Sequence, residues 1–152
     1  LIDGDMRAPD VHRLFDVPLA PGLAEVLRGE CDLSKAIATG SGQGVHVLPA
    51  GQLNGSPHEL VGSGVLESLL REVSSEYRFV ILDTPPALVT AEALVMSRMA
   101  DGCLVCALRG FSRGDQVRKA CERLGLSGSR LLGAVFNGTS RSPYYYAHGF
   151  HG

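Results

Sequence analysis

Phe79-Val80-Ile81-Leu82-Asp83-Thr84-Pro85-Pro86 is an apolar run that ends in a carboxylate and two prolines. Such a run suits a strand buried on both faces. Proline cannot donate to a sheet ladder, so the chain must leave the strand after Thr84. Asp83 therefore sits where a buried strand emerges, the edge at which open parallel sheets hold their ligands. The start of the chain repeats the arrangement in Leu1-Ile2-Asp3-Gly4-Asp5-Met6-Arg7. Asp3 and Asp5 are two apart, so in extended backbone they project to one side, roughly 7 Å from each other. One aspartate at a strand end is ordinarily a solvated or helix-capping carboxylate. Three converging carboxylates, with Arg7 just beyond Asp5, instead suit a hard divalent cation. Mg²⁺ held by one or two carboxylates commonly brings a phosphate with it.

Outward from these two stretches, strand-like and helix-like blocks alternate. Short apolar runs at 1–2, 45–48, 79–82, 102–108 and 131–136 are rich in Val, Ile and Leu, as buried parallel strands are. Helices are expected at 10–15 (a weak turn), 22–28, 57–76, 90–99 and 113–124. The longest, 57–76, repeats Leu60, Val61, Val65, Leu66, Leu69, Leu70 and Val73 at helical spacing. Its start carries Ser56 as N-cap, Pro57 at the first helical position and Glu59 three residues after the cap. Gly125 offers a C-cap for the last helix. Strands alternating with helices imply right-handed crossovers and an α/β fold, a mostly parallel sheet covered on both faces. Surface loops are expected at 40–44 and 52–57. Residues 1–137 form the expected domain, and 138–152 a tail without apolar periodicity.

At 152 residues the chain fits one domain. A net charge of −2 supplies no basic field for nucleic acid or an anionic membrane. No apolar run approaches the roughly 20 residues that span a bilayer, so this segment is not expected to insert into one. The four cysteines include Cys103 and Cys106 at CxxC spacing. Positions three apart on a strand face opposite ways and cannot share a ligand, so buried, reduced thiols are expected. The opening Leu1-Ile2 is short for a strand, and residues upstream are expected to complete it.

Leu-Ile-Asp-Gly-Asp-Met-Arg resembles the Walker A′ motif, and Phe-Val-Ile-Leu-Asp-Thr-Pro-Pro the Walker B motif, of bacterial protein-tyrosine kinases of capsule and exopolysaccharide synthesis. The resemblance continues through Gly22-Leu23-Ala24-Glu25-Val26-Leu27, Val47-Leu48-Pro49-Ala50-Gly51, Pro57-His58-Glu59-Leu60, Ala100-Asp101-Gly102 and Leu132-Gly133-Ala134-Val135-Phe136-Asn137. It implies the fold of MinD/ParA-like P-loop ATPases, with ATP and Mg²⁺ as cofactors. Asp5 and Asp83 would hold Mg²⁺, partly through water, and Asp3 would accept the proton of an incoming tyrosine hydroxyl. Arg7 would position phosphate or hold the loop, and Asn137 would lie near the adenine or serve as a strand-end turn residue. Tyr144, Tyr145 and Tyr146 resemble the carboxyl-terminal tyrosine cluster that these kinases phosphorylate in a neighbouring subunit.

The family's glycine-rich Walker A loop is absent, since no Gly-Lys pair occurs in the sequence. The expectation is that it belongs to a first βα unit preceding Leu1, and that this stretch alone binds ATP weakly and phosphorylates little. The resemblance implies a cytoplasmic protein held at the inner face of the bacterial membrane by a membrane-spanning co-polymerase or activator. Three other readings compete: a MinD/ParA-type ATPase switch, a non-catalytic regulatory module of a polysaccharide co-polymerase, and a flavodoxin-like receiver domain. The tyrosine run favours the kinase over the switch, and no lysine follows the last strand where a receiver needs one.

Overall fold

A computed structural model describes residues 1–40 and 44–139 of the chain. Tyr144, Tyr145 and Tyr146 lie outside the described residues. The elements are β1 (Ile2–Asp3), α1 (Val11–Leu14), α2 (Leu23–Leu27), α3 (Leu33–Ala36), β2 (Ala38–Thr39), β3 (His46–Val47), α4 (Pro57–Gly62) and α5 (Val65–Glu76). They continue as β4 (Leu82–Asp83), α6 (Glu92–Met99), β5 (Cys103–Leu108), α7 (Gly114–Leu126) and β6 (Leu131–Asn137).

β1 lies between two partners. It pairs with β4 in parallel, Ile2 opposite Leu82 and Asp3 opposite Asp83. On its other side Ile2 bridges Leu48 in parallel, immediately after β3. The Asp3 N–H donates to the Leu48 carbonyl at 2.9 Å, and the Gly4 N–H to the Asp83 carbonyl at 2.9 Å. β5 and β6 form a second parallel pair, in register from Leu104 opposite Gly133 to Leu108 opposite Asn137. The expected parallel α/β arrangement is present, with one addition. β3 falls within the strand expected at 45–48, and it pairs antiparallel with β2, which was not expected, Ala38 opposite Val47 and Thr39 opposite His46.

Helices α2, α4, α5 and α6 enclose one apolar core with β1. Leu23, Val61, Leu66 and Met96 are fully buried there, each contributing about 1.5–3 kcal/mol by leaving water. On α5, Leu66, Leu69 and Val73 face inward, while Glu67 and Arg71 pair on the solvent face at 3.2 Å.

The expected helix over 57–76 is two helices. Gly62-Ser63-Gly64 interrupts it, with Gly64 in the left-handed region at φ 78°. Two glycines forfeit helix propensity, and a left-handed residue reverses the chain direction. Ser56 occupies the N-cap position but makes no capping bond through its side chain, although Pro57 does begin the helix. Gly125 lies inside α7 rather than capping it. The helix ends at Leu126, and the left-handed glycine that follows is Gly128 at φ 85°. Helix α3 carried no periodicity long enough to announce it.

Neither the 79–82 run nor the second strand pair is buried on both faces as expected: only Leu82–Asp83 of the first pairs as a strand, and Phe79 and Ile81 are exposed. Along β5, Cys103, Val105 and Ala107 are more covered than Leu104, Cys106 and Leu108, which are exposed. Helix α7 packs on one side through Ala120 and Leu124, and the apolar side chains on the other side stand open among the described residues. Cys106 is therefore exposed rather than a buried thiol. Phe136 of β6 is 56% exposed. The alternation confirms that Cys103 and Cys106 face opposite ways.

One carboxylate holds the loop after β3 against α2. Glu25 accepts the Gly22 N–H at 2.8 Å and the Gln52 N–H at 2.9 Å. Its side chain is mostly buried and also meets Arg28 at 3.5 Å. Removing it would strand the part-buried Gly22 donor and free the exposed Gln52 donor to water. Glu25→Ala is expected to lower unfolding stability by about 2–3 kcal/mol, since bonds to charged groups contribute about 1.5–3 kcal/mol each. Urea unfolding followed by circular dichroism checks this, and Glu25→Gln should cost less.

Candidate functional site

The β1–β4 register makes Asp3 and Asp83 direct neighbours at the carboxyl ends of adjacent parallel strands. Gly4 is required for that closeness. A Cβ at this position would lie 2.6 Å from the Asp83 carbonyl oxygen and 2.9 Å from the Met96 sulfur of α6. The strand can therefore turn across the end of β4 only as glycine.

Asp3 is 0% exposed. Its Oδ1 accepts the Asp5 N–H at 3.1 Å, and its Oδ2 accepts the Val11 N–H at 3.3 Å. Both oxygens thus tie the loop of residues 4–10 to the strand end. Burial pushes this carboxyl above its ordinary value, the two backbone bonds oppose that, and the charges of Asp83 and Asp5 add to the rise. Asp5 is half-buried, and its Oδ1 accepts the N–H groups of Arg7 at 3.2 Å and Ala8 at 3.1 Å. Asp83 is exposed at the strand end. Partial burial raises its carboxyl, the Thr84 N–H opposes this, and the charge of Asp5 raises it further.

Asp3, Asp5 and Asp83 thus gather within electrostatic reach of one another, and none forms a salt bridge among the described residues. Arg7, the nearest cation in sequence, turns away to Glu92 of α6, 2.7 Å from its Nη2. The donor chemistry fits Mg²⁺: hard carboxylate oxygens, one of them (Asp5 Oδ2) in no hydrogen bond, and an excess of negative charge. No set of three His, Cys, Asp or Glu residues among the described residues forms a ready-made cage. A cation here would take its remaining ligands from water and phosphate, as Mg²⁺ commonly does.

Asn137 lies at the carboxyl end of β6, in the second parallel pair, where its carbonyl accepts the Arg109 N–H at 3.0 Å. Glu92 was missed in the sequence. Thr90-Ala91-Glu92 offers only an acidic residue in the first turn of a helix, a commonplace. Its partner stands 85 positions away.

No protein-family model matches the chain. The chain is 35% identical over 144 residues to the tyrosine-protein kinase YwqD of Bacillus subtilis, covering 95% of this chain and 61% of that one. It is 32% identical over 152 residues to CapB of Staphylococcus aureus, named as a candidate tyrosine-protein kinase, covering 98% of this chain and 67% of that one. The chain thus spans roughly three-fifths to two-thirds of these relatives' lengths. The kinase domain of the Escherichia coli tyrosine kinase ETK superposes with a TM-score of 0.88 at 33% identity, over 93% of this chain and 56% of that domain. The Pyrococcus horikoshii septum site-determining protein MinD shares the fold, with a TM-score of 0.74 at 21% identity over 93% of this chain and 58% of that one. On the identity and coverage of these relatives, the chain belongs to the bacterial tyrosine-protein kinase family.

Proposed function

We propose that the intact protein is an ATP-dependent, autophosphorylating protein-tyrosine kinase that governs capsular or extracellular polysaccharide synthesis and export. The observation that carries this reading is the in-register pairing of Asp3 with Asp83, with Asp5 beside them, in a chain of the tyrosine-kinase family. Phosphoryl transfer asks a protein mainly for positioning and charge stabilisation. Asp83 and the free oxygen of Asp5 are the carboxylates placed to hold Mg²⁺. The ion, when bound, would offset charge on the transferring phosphoryl group. Asp3, with both oxygens engaged by backbone N–H groups, is better suited here to bracing the loop than to accepting a hydroxyl proton. Arg7 holds the loop through Glu92.

The phosphate-cradling Gly-Lys-Ser/Thr loop would come from a part of the protein outside this chain. The relatives' greater length leaves room for it. Asn137 would lie toward the base of the nucleotide. The partners proposed are neighbouring subunits, which receive each other's tyrosine tails, and a membrane-spanning activator that places the kinase at the inner face of the membrane. No helix among the described residues is long and apolar enough to cross a membrane. Each phosphate on Tyr144, Tyr145 or Tyr146 would add about −1.5 to −2 charge. Three would repel the tail from the acidic strand ends and favour dispersal of the subunits.

Three experiments test this reading. In the full-length protein, Asp83→Asn is expected to lower self-labelling from radiolabelled ATP by about 100-fold or more, the scale of losing one preorganised charge-stabilising group. The same variant should be more stable. Asp3 and Asp83 titrate above the ordinary aspartate value of 3.8 because burial penalises their charge. The folded chain therefore binds these protons more tightly than the unfolded chain does. That contribution is complete below the unfolded value and is lost as pH rises through the raised ones. At neutral pH the charged Asp83 works against the fold, and Asp83→Asn removes that cost. Scanning calorimetry without Mg²⁺ should show a higher melting temperature at pH 7 and a difference that shrinks on acidification. Unchanged labelling in Asp83→Asn would remove the basis of the assignment.

Replacing Tyr144, Tyr145 and Tyr146 together with Phe is expected to abolish most self-labelling and leave transfer to an added tyrosine peptide intact. Phosphopeptide mapping checks it. Label retained at full level elsewhere in the chain would refute the tail as acceptor.

A further inference from the structure

We infer that Glu92 is a positioning residue for the acidic site, acting through Arg7 to fix the turn that aims Asp5 at the nucleotide-bound metal. This rests on the kinase reading for what the metal does, but the geometry stands on its own.

Glu92 is the first residue of α6, and its side chain is 4% exposed, against 52% for Arg7. A carboxylate so buried must be compensated, because an unpaired charge there is expensive. Its hydrogen-bonding side-chain partner is the Arg7 guanidinium at 2.7 Å. Burial alone would push the Glu92 carboxyl up. The Arg7 bond, its own backbone N–H and the charges of Arg7 and His58 outweigh that and leave it below its ordinary value. Glu92 is therefore an ionised anchor held by the Arg7 guanidinium of the loop after β1.

The anchor acts on Asp5 through a short covalent path. The backbone N–H of Arg7 and that of Ala8 are the two donors to Asp5 Oδ1. Fixing the Arg7 side chain on α6 holds that backbone, which engages one Asp5 oxygen and leaves the other for a ligand. Asp83 reaches the same helix by another path, since β4 leads into α6 and Gly4 wedges between the Asp83 carbonyl and Met96. Asp5 and Asp83 are thus both referenced to α6. A buried ion pair adds little net stability compared with an apolar pair of the same shape, so a role in specifying geometry accounts better for its presence. Groups that orient a metal's carboxylates typically carry about 10- to 100-fold in metal affinity or activity.

The test uses the full-length protein and its Glu92→Gln, Arg7→Gln and double variants. Peptide-level hydrogen exchange over residues 4–10 should speed up about tenfold in Glu92→Gln, with exchange over 65–76 unchanged. Calorimetric binding of ADP with Mg²⁺ should weaken about tenfold, while ADP without Mg²⁺ binds as in the parent. A purely structural glutamate would move both nucleotide affinities together. The double variant should behave like Arg7→Gln alone, because one chain of action is being cut twice. Unchanged exchange over 4–10 in Glu92→Gln overturns the inference, as do losses that multiply in the double variant. If Glu92→Gln does not fold, Arg7→Gln decides, since it removes the same bond from the half-exposed side. Protection retained over 4–10 in that variant is equally fatal. If the parent binds no nucleotide, the kinase reading fails while the exchange measurement still judges Glu92.

Discussion

The parallel register of β1 on β4 is the constraint from which the site follows. Two backbone bonds on either side of β1, to Leu48 and to Asp83, fix where the strand ends. Because the pairing sets Asp3 opposite Asp83, it places like charges side by side at a partly dry edge. Like charges directly opposite on neighbouring strands destabilise a sheet. Burial raises both carboxyls further. The core pays for this arrangement through apolar surface buried beneath it, chiefly Ile2, Leu48, Leu66 and Met96. Carboxylates held together against their own repulsion are a sign of a site rather than of a scaffold.

The parts of this arrangement that sequence could reveal were those governed by local rules. Apolar runs ending in aspartate marked β1 and β4, because a buried parallel strand needs continuous apolar residues and an exit. The two prolines after Thr84 marked that exit. The spacing of Leu66, Leu69 and Val73 marked α5. Other features were set by tertiary context. Gly62-Ser63-Gly64 lay inside a periodic pattern strong enough to hide the break. Leu104, Leu108 and Phe136 read as core, yet they stand open because β5 and β6 pair only with each other among the described residues. Apolar continuity says that a strand could be covered on both faces. It does not say by what.

The acidic residues show the same division. Their identity as a group was visible in the two motifs, but their separate tasks were not. Asp3 and Asp5 differ by a single intervening glycine, yet one is fully buried with both oxygens engaged and the other keeps an oxygen free. That difference arises from where the loop of residues 4–10 folds back, which depends on Val11 reaching Asp3. Glu92 was harder still. A buried acid in the first turn of a helix has no pattern of its own, and only its contact with Arg7 gives it meaning.

Helix α6 is the common reference of the site. Gly4 packs against Met96 near its middle, Arg7 is tied to Glu92 at its start, and the chain from β4 reaches it through residues 84–91. An edge formed by two strand ends has no rigid template across the gap between them, because each loop leaves in its own direction. A helix touching both loops supplies one. Phosphoryl transfer gains chiefly from placing charges to within fractions of an ångström, so the element that sets their spacing matters as much as the charges themselves. The two strand ends contribute Asp3 and Asp83, the loop after β1 contributes Asp5, and α6 meets that loop at Glu92 and Met96.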